Sequence, residues 1–307
     1  MKDSELFDWI VANPGLAQLK ESQSYPGLAV AKYKRKVFYD DLWNRQLEEC
    51  RGAVFDLKTK KLVALPFRKI YNYGIDPKSP KFNEAEYCHA YRKVNGFMLA
   101  ATLHEGEILL STTGSLDSDF CGYGWDLLNK LEHNEFDSFR LFLTRHPGMT
   151  HMFEAVHPSD PHIIPEVEGL YYLGSRYHDT ASEIVYIPEV DSTSQYVLAK
   201  TGIYVLHRQQ MTVAELKAKA MKVDHEGFVF YTSTGAAKIK SPYYLAAKLF
   251  ARAGNLDRLL NGKAKEFLDE EYYGLIEHVR QNVTEFSVMS EQDRLKWIHQ
   301  FFGTVYN

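Results

Sequence analysis

The segment that most limits how this chain can fold is Phe97-Met98-Leu99-Ala100-Ala101-Thr102-Leu103. It is almost wholly apolar, has the length of a strand, and stops at His104-Glu105-Gly106, where a chain turns. A second run, Glu107 to Ser111, follows at once. Two such runs across a glycine-containing turn predict an antiparallel hairpin. Ahead of it stands Tyr91-Arg92-Lys93-Val94-Asn95-Gly96, which places Lys93 just before the hairpin on rigid scaffold, its amine free to face a cleft. A lysine held this way can act as a covalent nucleophile if its amine is made neutral. A solvated turn lysine would show the same Lys-x-Asn-Gly letters, so the motif alone does not decide.

The same texture continues on both sides. Leu28–Tyr33, Gly52–Leu57, Leu62–Leu65, His151–Val156, Leu170–Gly174, Glu226–Tyr231 and Ala236–Ser241 read as strands, with Ile184–Ile187 and Tyr204–Leu206 as weaker ones. Helices are predicted over Glu5–Ala12 behind Asp3-Ser4, from Asn13 with Pro14 at its first position, over Trp125–Leu131 and over Phe136–Arg145. A further helix, Thr212–Met221, opens with Thr212 and Glu215 at capping-box spacing. From Tyr244 helical periodicity dominates, in Tyr244–Ala253, Asn255–Asn261, Lys263–Asn282 and Ser290–Phe302. A boundary near residue 243 is expected. Residues 1–243 would form a mixed, mostly antiparallel α+β domain, and residues 244–307 a small all-helical one.

Composition excludes several classes. The 307 residues suffice for one large or two modest domains, and 45% hydrophobic with 25% charged residues is ordinary for a globular protein. A net charge of −4 excludes a broadly basic nucleic-acid coat, so any such contact must be a local patch. Cys50, Cys88 and Cys121 have neither zinc-ligand nor disulfide-framework spacing. No signal peptide or membrane-length apolar run is visible, so a soluble, cytoplasmic protein is expected. His151, His157 and His162 with Asp160 fit no familiar metal-ligand pattern. Lys32, Lys34, Arg35 and Lys36 lie beside Tyr33, Phe38 and Tyr39, either as a solvated strand end or as a contact to phosphate or base.

Taken in order, five motifs resemble those of the covalent nucleotidyltransferases, the superfamily of ATP-dependent ligases and mRNA capping enzymes. They are Lys93-Val94-Asn95-Gly96, Phe153-Glu154, Leu173-Gly174-Ser175-Arg176, Glu226-Gly227-Phe228-Val229 and Lys238-Ile239-Lys240. Three further stretches resemble the phage-type RNA ligase 1 branch: Glu49-Cys50-Arg51-Gly52-Ala53-Val54-Phe55, Lys69-Ile70-Tyr71-Asn72, and Ser241 with Tyr243-Tyr244. The resemblance covers about residues 28 to 245. It departs from the family at Asn95, where aspartate is usual, and at Thr113, where close relatives carry lysine.

The resemblance implies an α+β nucleotidyltransferase (adenylation) domain and an RNA ligase that joins 5′-phosphate and 3′-hydroxyl ends through a Lys93–AMP intermediate. It implies ATP and magnesium, with manganese as a substitute. Single-stranded or nicked RNA would be the partner, with cut tRNA as one candidate, and the protein would act as a monomer away from membranes. Lys93, Lys238, Lys240 and Glu226 would be catalytic. Arg51, Lys69, Tyr91, Gly96, Glu154, Arg176, Glu226, Phe228, Lys238 and Lys240 would hold the nucleotide, with Glu226 and Glu154 as metal-holding carboxylates. Phe228 would stack on the base or sit in the core. Two alternatives remain at this point: a DNA ligase or capping-type enzyme, and a nucleotide- or RNA-binding homologue without turnover.

Overall fold

The computed structural model describes residues 3–160, 162, 164–182, 184, 192–245, 248, 273–290, 293, 294, 297, 298, 300 and 301. The chain divides into two compact units. Unit 1 is Met1–Lys69, Gly96–Pro161 and Val167–Leu206; unit 2 is Ile70–Asn95, His162–Glu166 and His207–Asn307. This division cuts the chain differently from a boundary at residue 243. Among the described residues, no helix is long and apolar enough to cross a membrane.

Unit 1 holds two sheets. In one, β1 (Ala17–Glu21), β2 (Leu28–Tyr33), β3 (Arg51–Asp56) and β4 (Leu62–Ala64) lie in chain order, all antiparallel. The other runs in the order β11-β10-β9-β7-β8. Its strands are β7 (Phe97–His104), β8 (Glu107–Thr112), β9 (Met149–Val156), β10 (Gly169–Tyr177) and β11 (Tyr204–Val205). β7 and β8 form the expected hairpin, His104 opposite Glu107 and Leu103 opposite Ile108. One face of this sheet packs Leu99, Ala101, Phe153, Ala155 and Tyr172 against Phe139, Phe142 and Leu143 of the helix His133–Arg145. That burial explains why the β7 run carries so little polarity.

The helix expected from Asn13 does not form. Asn13 instead ends the helix Asp3–Ala12, its Nδ2 donating to the Trp9 carbonyl at 2.8 Å, and the chain turns into β1. Ala17–Glu21 then pairs residue for residue with β2, and these ladder bonds replace what a short helix would supply. Near the end of β10, Arg176 is 1% exposed. Its guanidinium donates to both oxygens of Glu49, at 2.7 and 2.9 Å, and to the carbonyls of Pro66, Thr180 and Ser182. Arg68 adds a third bond to Glu49 at 2.5 Å. These contacts tie the loops at residues 66–68 and 180–182 to one buried carboxylate. His151 on β9 is fully buried, with Nδ1 2.6 Å from Ser175 Oγ, which is 2.7 Å from the Tyr172 hydroxyl.

Unit 2 is built on one sheet in the order β12-β6-β13-β14-β5. Its strands are β5 (Tyr71–Asn72), β6 (Tyr87–Arg92), β12 (Gln209–Thr212), β13 (Gly227–Thr232) and β14 (Gly235–Lys240). Every pairing is antiparallel except β14 with β5. Strand alternation puts Cys88, Ala90, Phe228, Phe230, Ala237 and Ile239 in one core cluster. The helix Val213–Ala220 covers it with Val213 and Leu216, and its Thr212–Glu215 capping box is present. Leu275, Ile276 and Val279 of the helix Tyr273–Gln281 join the same cluster, as do Phe286 of the helix Val283–Val288 and Ile298. Residues 242–245 and 248 are helical, and so are the described residues between 293 and 301. Ser290 accepts from Asp293 N at 3.2 Å, as an N-cap does. The expected helix Asn255–Asn261 and the strand residues Val185–Ile187 lie outside the described residues.

Two measurements check the unit 1 contacts. Glu49→Ala leaves a buried guanidinium without its carboxylate and is expected to cost about 3–5 kcal/mol in denaturant unfolding; a loss below ~1 kcal/mol would contradict the pairing. Burial, with His146 and His178 nearby, pushes the His151 imidazole down to about 3, and burial pushes His178 down to about 4. Unfolded imidazoles titrate near pH 6.5, so on acidification the unfolded chain binds these protons first. Their contribution to stability is complete above about pH 6.5 and is lost as pH falls toward the folded values. The melting midpoint should drop between pH 7 and 5, and less steeply in His151→Gln; equal slopes would contradict this.

Candidate active site

Lys93 follows directly on β6, a strand that the sequence pattern did not reveal. Its backbone N–H donates to the Gly227 carbonyl at 2.8 Å, which extends the β6–β13 ladder to the nucleophile candidate. Glu226 immediately precedes β13, and its carbonyl accepts from Ser241 N at 3.0 Å just beyond β14. The ends of three adjacent strands thereby converge. Lys93 Nζ lies 2.9 Å from Glu226 Oε2, and Lys240 Nζ lies 3.9 Å from Glu226 Oε1. Asn95 Nδ2 donates to Glu226 Oε2 at 2.9 Å. Gly227 makes the approach possible, because its φ is +130° and an added Cβ would stand 2.0 Å from the Ile239 carbonyl oxygen.

Burial alone would raise the pKa of Glu226, but the charges of Lys93 and Lys240 and the hydrogen bonds from Lys93 and Asn95 outweigh it, so the carboxyl is held below its ordinary range. Glu226 is therefore ionised at neutral pH. A carboxylate this close favours the ammonium form of Lys93 over the amine.

Alternation assigns sides to the remaining unit 2 residues. Tyr91 on β6, Val229 on β13 and Lys238 on β14 form a row across the sheet. Their neighbours Ala90, Phe228 and Ile239 are in the core on the opposite side. Phe228 is 1% exposed, so its ring does not stack on a base. Its place in the motif is that of a core residue, and Tyr91 and Tyr231 are aromatic side chains on the Lys238 face, their rings 6.1 Å apart.

Unit 1 places Glu154 on β9, opposite Met98 and Tyr171. Its Oε1 accepts from Gly96 N at 3.2 Å, and a Cβ at Gly96 would stand 2.4 Å from the Ala155 carbonyl oxygen. Arg51 opens β3 with its guanidinium 6.0 Å from the Tyr33 ring centre, and Lys69 Nζ is 4.5 Å from the Trp43 ring centre. Arg176 does not belong with these. Its fork is consumed by Glu49 and the loop carbonyls, so the strand-ending arginine has a structural task. Sequence reasoning passed over Asn95 and Glu166 as working parts. Glu166 Oε2 pairs with Arg92 at 2.8 Å, and Glu166 Oε1 accepts from Asn95 N at 3.3 Å. Only the position of Asn95 inside the lysine motif pointed there.

A single lysine, an ionised carboxylate and two further lysines suit the binding and transfer of an anionic phosphorus group. A magnesium ion takes oxygen ligands, commonly one or two carboxylates completed by water and phosphate. Glu226 fits that donor set. Among the described residues no group of three or more His, Cys, Asp or Glu forms an all-protein cage.

No family model matches the chain. It is 27% identical over 205 residues to a Thermovibrio ammonificans protein provisionally named an RNA ligase, covering 64% of this chain and 52% of that one. It is 28% identical over 249 residues to a protein of the Autographa californica nuclear polyhedrosis virus provisionally named a bifunctional polynucleotide kinase/RNA ligase, covering 72% of this chain and 34% of that one. The chain thus spans about a half and about a third of these relatives. Among solved structures, an archaeal ATP-dependent RNA ligase superposes with a TM-score of 0.58 at 15% identity, over 98% of this chain and 76% of that one. A protein from Aquifex aeolicus provisionally named an ATP-dependent DNA ligase gives 0.57 at 15% identity, over the same shares. By sequence the chain is similar to two proteins provisionally named RNA ligases, and its fold resembles that of an archaeal ATP-dependent RNA ligase.

Proposed function

We propose that the protein is an ATP-dependent RNA ligase joining 5′-phosphate and 3′-hydroxyl ends through a covalent adenylate on Lys93. The observation that carries this is the convergence of Lys93, Glu226 and Lys240 at the ends of three neighbouring strands. In the first step the Lys93 Nζ lone pair forms a bond to the α-phosphorus of ATP, the bond to the bridging oxygen breaks, pyrophosphate leaves, and Nζ gives up a proton. In the second an oxygen of the RNA 5′-phosphate takes the adenylate and the N–P bond breaks. In the third the 3′-hydroxyl attacks that phosphate, the phosphodiester forms and AMP leaves.

Each step displaces one group at phosphorus, so positioning and charge neutralisation supply most of the rate. Lys238 and Lys240 take phosphate charge, and Tyr91 lines the nucleotide side of the sheet. Glu226 would hold magnesium, which would supply neutralisation of phosphate charge. Adenylation belongs to residues 1–243, and Leu275, Ile276 and Val279 of the helix Tyr273–Gln281 brace the sheet that ends at Lys93. The partners are ATP and broken RNA, cut tRNA among the candidates, acted on by a monomer in the cytoplasm.

Two substrates separate the steps. With ATP and 5′-phosphorylated RNA, Lys93→Ala should lose both the protein-bound adenylate and all sealing. With RNA already carrying a 5′-adenylate it should still seal, because only the third step remains. Loss of both would make Lys93 structural. Lys238→Ala and Lys240→Ala should slow adenylate formation about 100-fold, the scale for removing one charge-stabilising donor. Preference for DNA over RNA ends would move the assignment to DNA ligation.

A further inference from the structure

Asn95 stands where the nucleophile motif usually carries aspartate, and its contacts give the exchange a physical meaning. Its Nδ2 donates to Glu226 Oε2 at 2.9 Å, and its Oδ1 accepts from Ile164 N at 3.2 Å. The two ends of the amide face partners of opposite kind, which fixes its orientation. The residue is 5% exposed. An aspartate of the same shape would keep the Ile164 bond but set a second carboxylate against Glu226, with no donor between them. The charged groups around this point are Lys93 and Lys240 on Glu226, the Glu166–Arg92 pair beside the Asn95 backbone, and His225 immediately before Glu226.

Lys93 Nζ and Asn95 Nδ2 share one oxygen, Oε2 of Glu226. Once Nζ carries a phosphoryl group it is no longer an ammonium, and Glu226 loses its nearest cation. A buried carboxylate that loses a direct partner is costly unless another donor holds it. Asn95 does so at 2.9 Å, while Lys240 stays at 3.9 Å. We propose that Asn95 is a positioning residue for the lysine adenylation described above: its neutral amide fixes Glu226 beside Lys93 and retains it when Lys93 is no longer charged. Asn95 acts through Glu226, its side chain engaged by Glu226 and the Ile164 backbone.

The test uses Asn95→Asp, Glu226→Gln and the double variant in the full chain. Asn95→Asp preserves the acceptor for Ile164 and replaces the donor toward Glu226 with a second carboxylate oxygen. Its melting midpoint should fall by about 5 °C. Its adenylate should form about tenfold more slowly, with the ATP concentration for half-maximal rate little changed. In the double variant amide and carboxylate have exchanged places, so the melting loss should be relieved rather than summed. Should Asn95→Asp fail to fold, recovery of folding in the double variant carries the same meaning. Full stability of Asn95→Asp, additive losses in the double variant, or faster adenylation in Asn95→Asp would each overturn the proposal; the last is what a motif restored to its usual aspartate would show. The melting comparison needs no activity, so wild-type protein that forms no adenylate would sink the ligase function while stability coupling still decides the role of Asn95.

Discussion

The site rests on one ion pair, the half-buried Lys93 with the buried Glu226 at 2.9 Å. Taking both charges out of water is costly, and the cost is offset only when geometry is good and remaining lone pairs are met. The sheet supplies both conditions. The β6–β13–β14 register fixes where Lys93, Glu226 and Lys240 emerge, Gly227 lets the strands close up, and Asn95 takes a further lone pair of Glu226. The core side of the same strands, with Phe228, Phe230 and Ile239, holds the register. A one-residue slip would send every lysine into the core. The pair also defines a resting state, since an ammonium bound to a carboxylate is not a nucleophile. The proposed adenylation would require that proton to leave as phosphate arrives, which would make the surroundings of Glu226 as consequential as the lysine itself.

Much of this was legible from the residues. Leu28–Tyr33 is a strand with the same bounds as read from the sequence, the Phe97–Leu103 hairpin turns where His104-Glu105-Gly106 predicts, and Thr212 caps the helix that begins after it. These signals are local: alternation, turn chemistry and a cap. The misses arise where tertiary pairing outweighs local preference. β6 is polar on one side and short, so Tyr87–Arg92 carries little apolar pattern, yet it is a central strand. Asn13-Pro14 has the letters of a helix start, but partnership with β2 makes the following residues a strand.

The order of motifs located the strands of the site but not the side of each strand. Phe228 and Arg176 both sit inside recognisable motifs, and both serve the scaffold: one fills the core and the other binds Glu49 among loop carbonyls. Glu226, two residues before Phe228, instead meets Lys93 and Lys240. The difference is the partner each group finds, and that is not written in a motif. Asn95 is the converse case. It looked like a departure from pattern, and its contacts make it a fitted part.

The most direct test of the central claim is peptide mapping by mass spectrometry after incubation with ATP and magnesium. An adenylate on the peptide containing Lys93, and absent after Lys93→Arg, is the predicted result. An adenylate on Lys238, Lys240 or any other residue would place the nucleophile elsewhere and contradict the account.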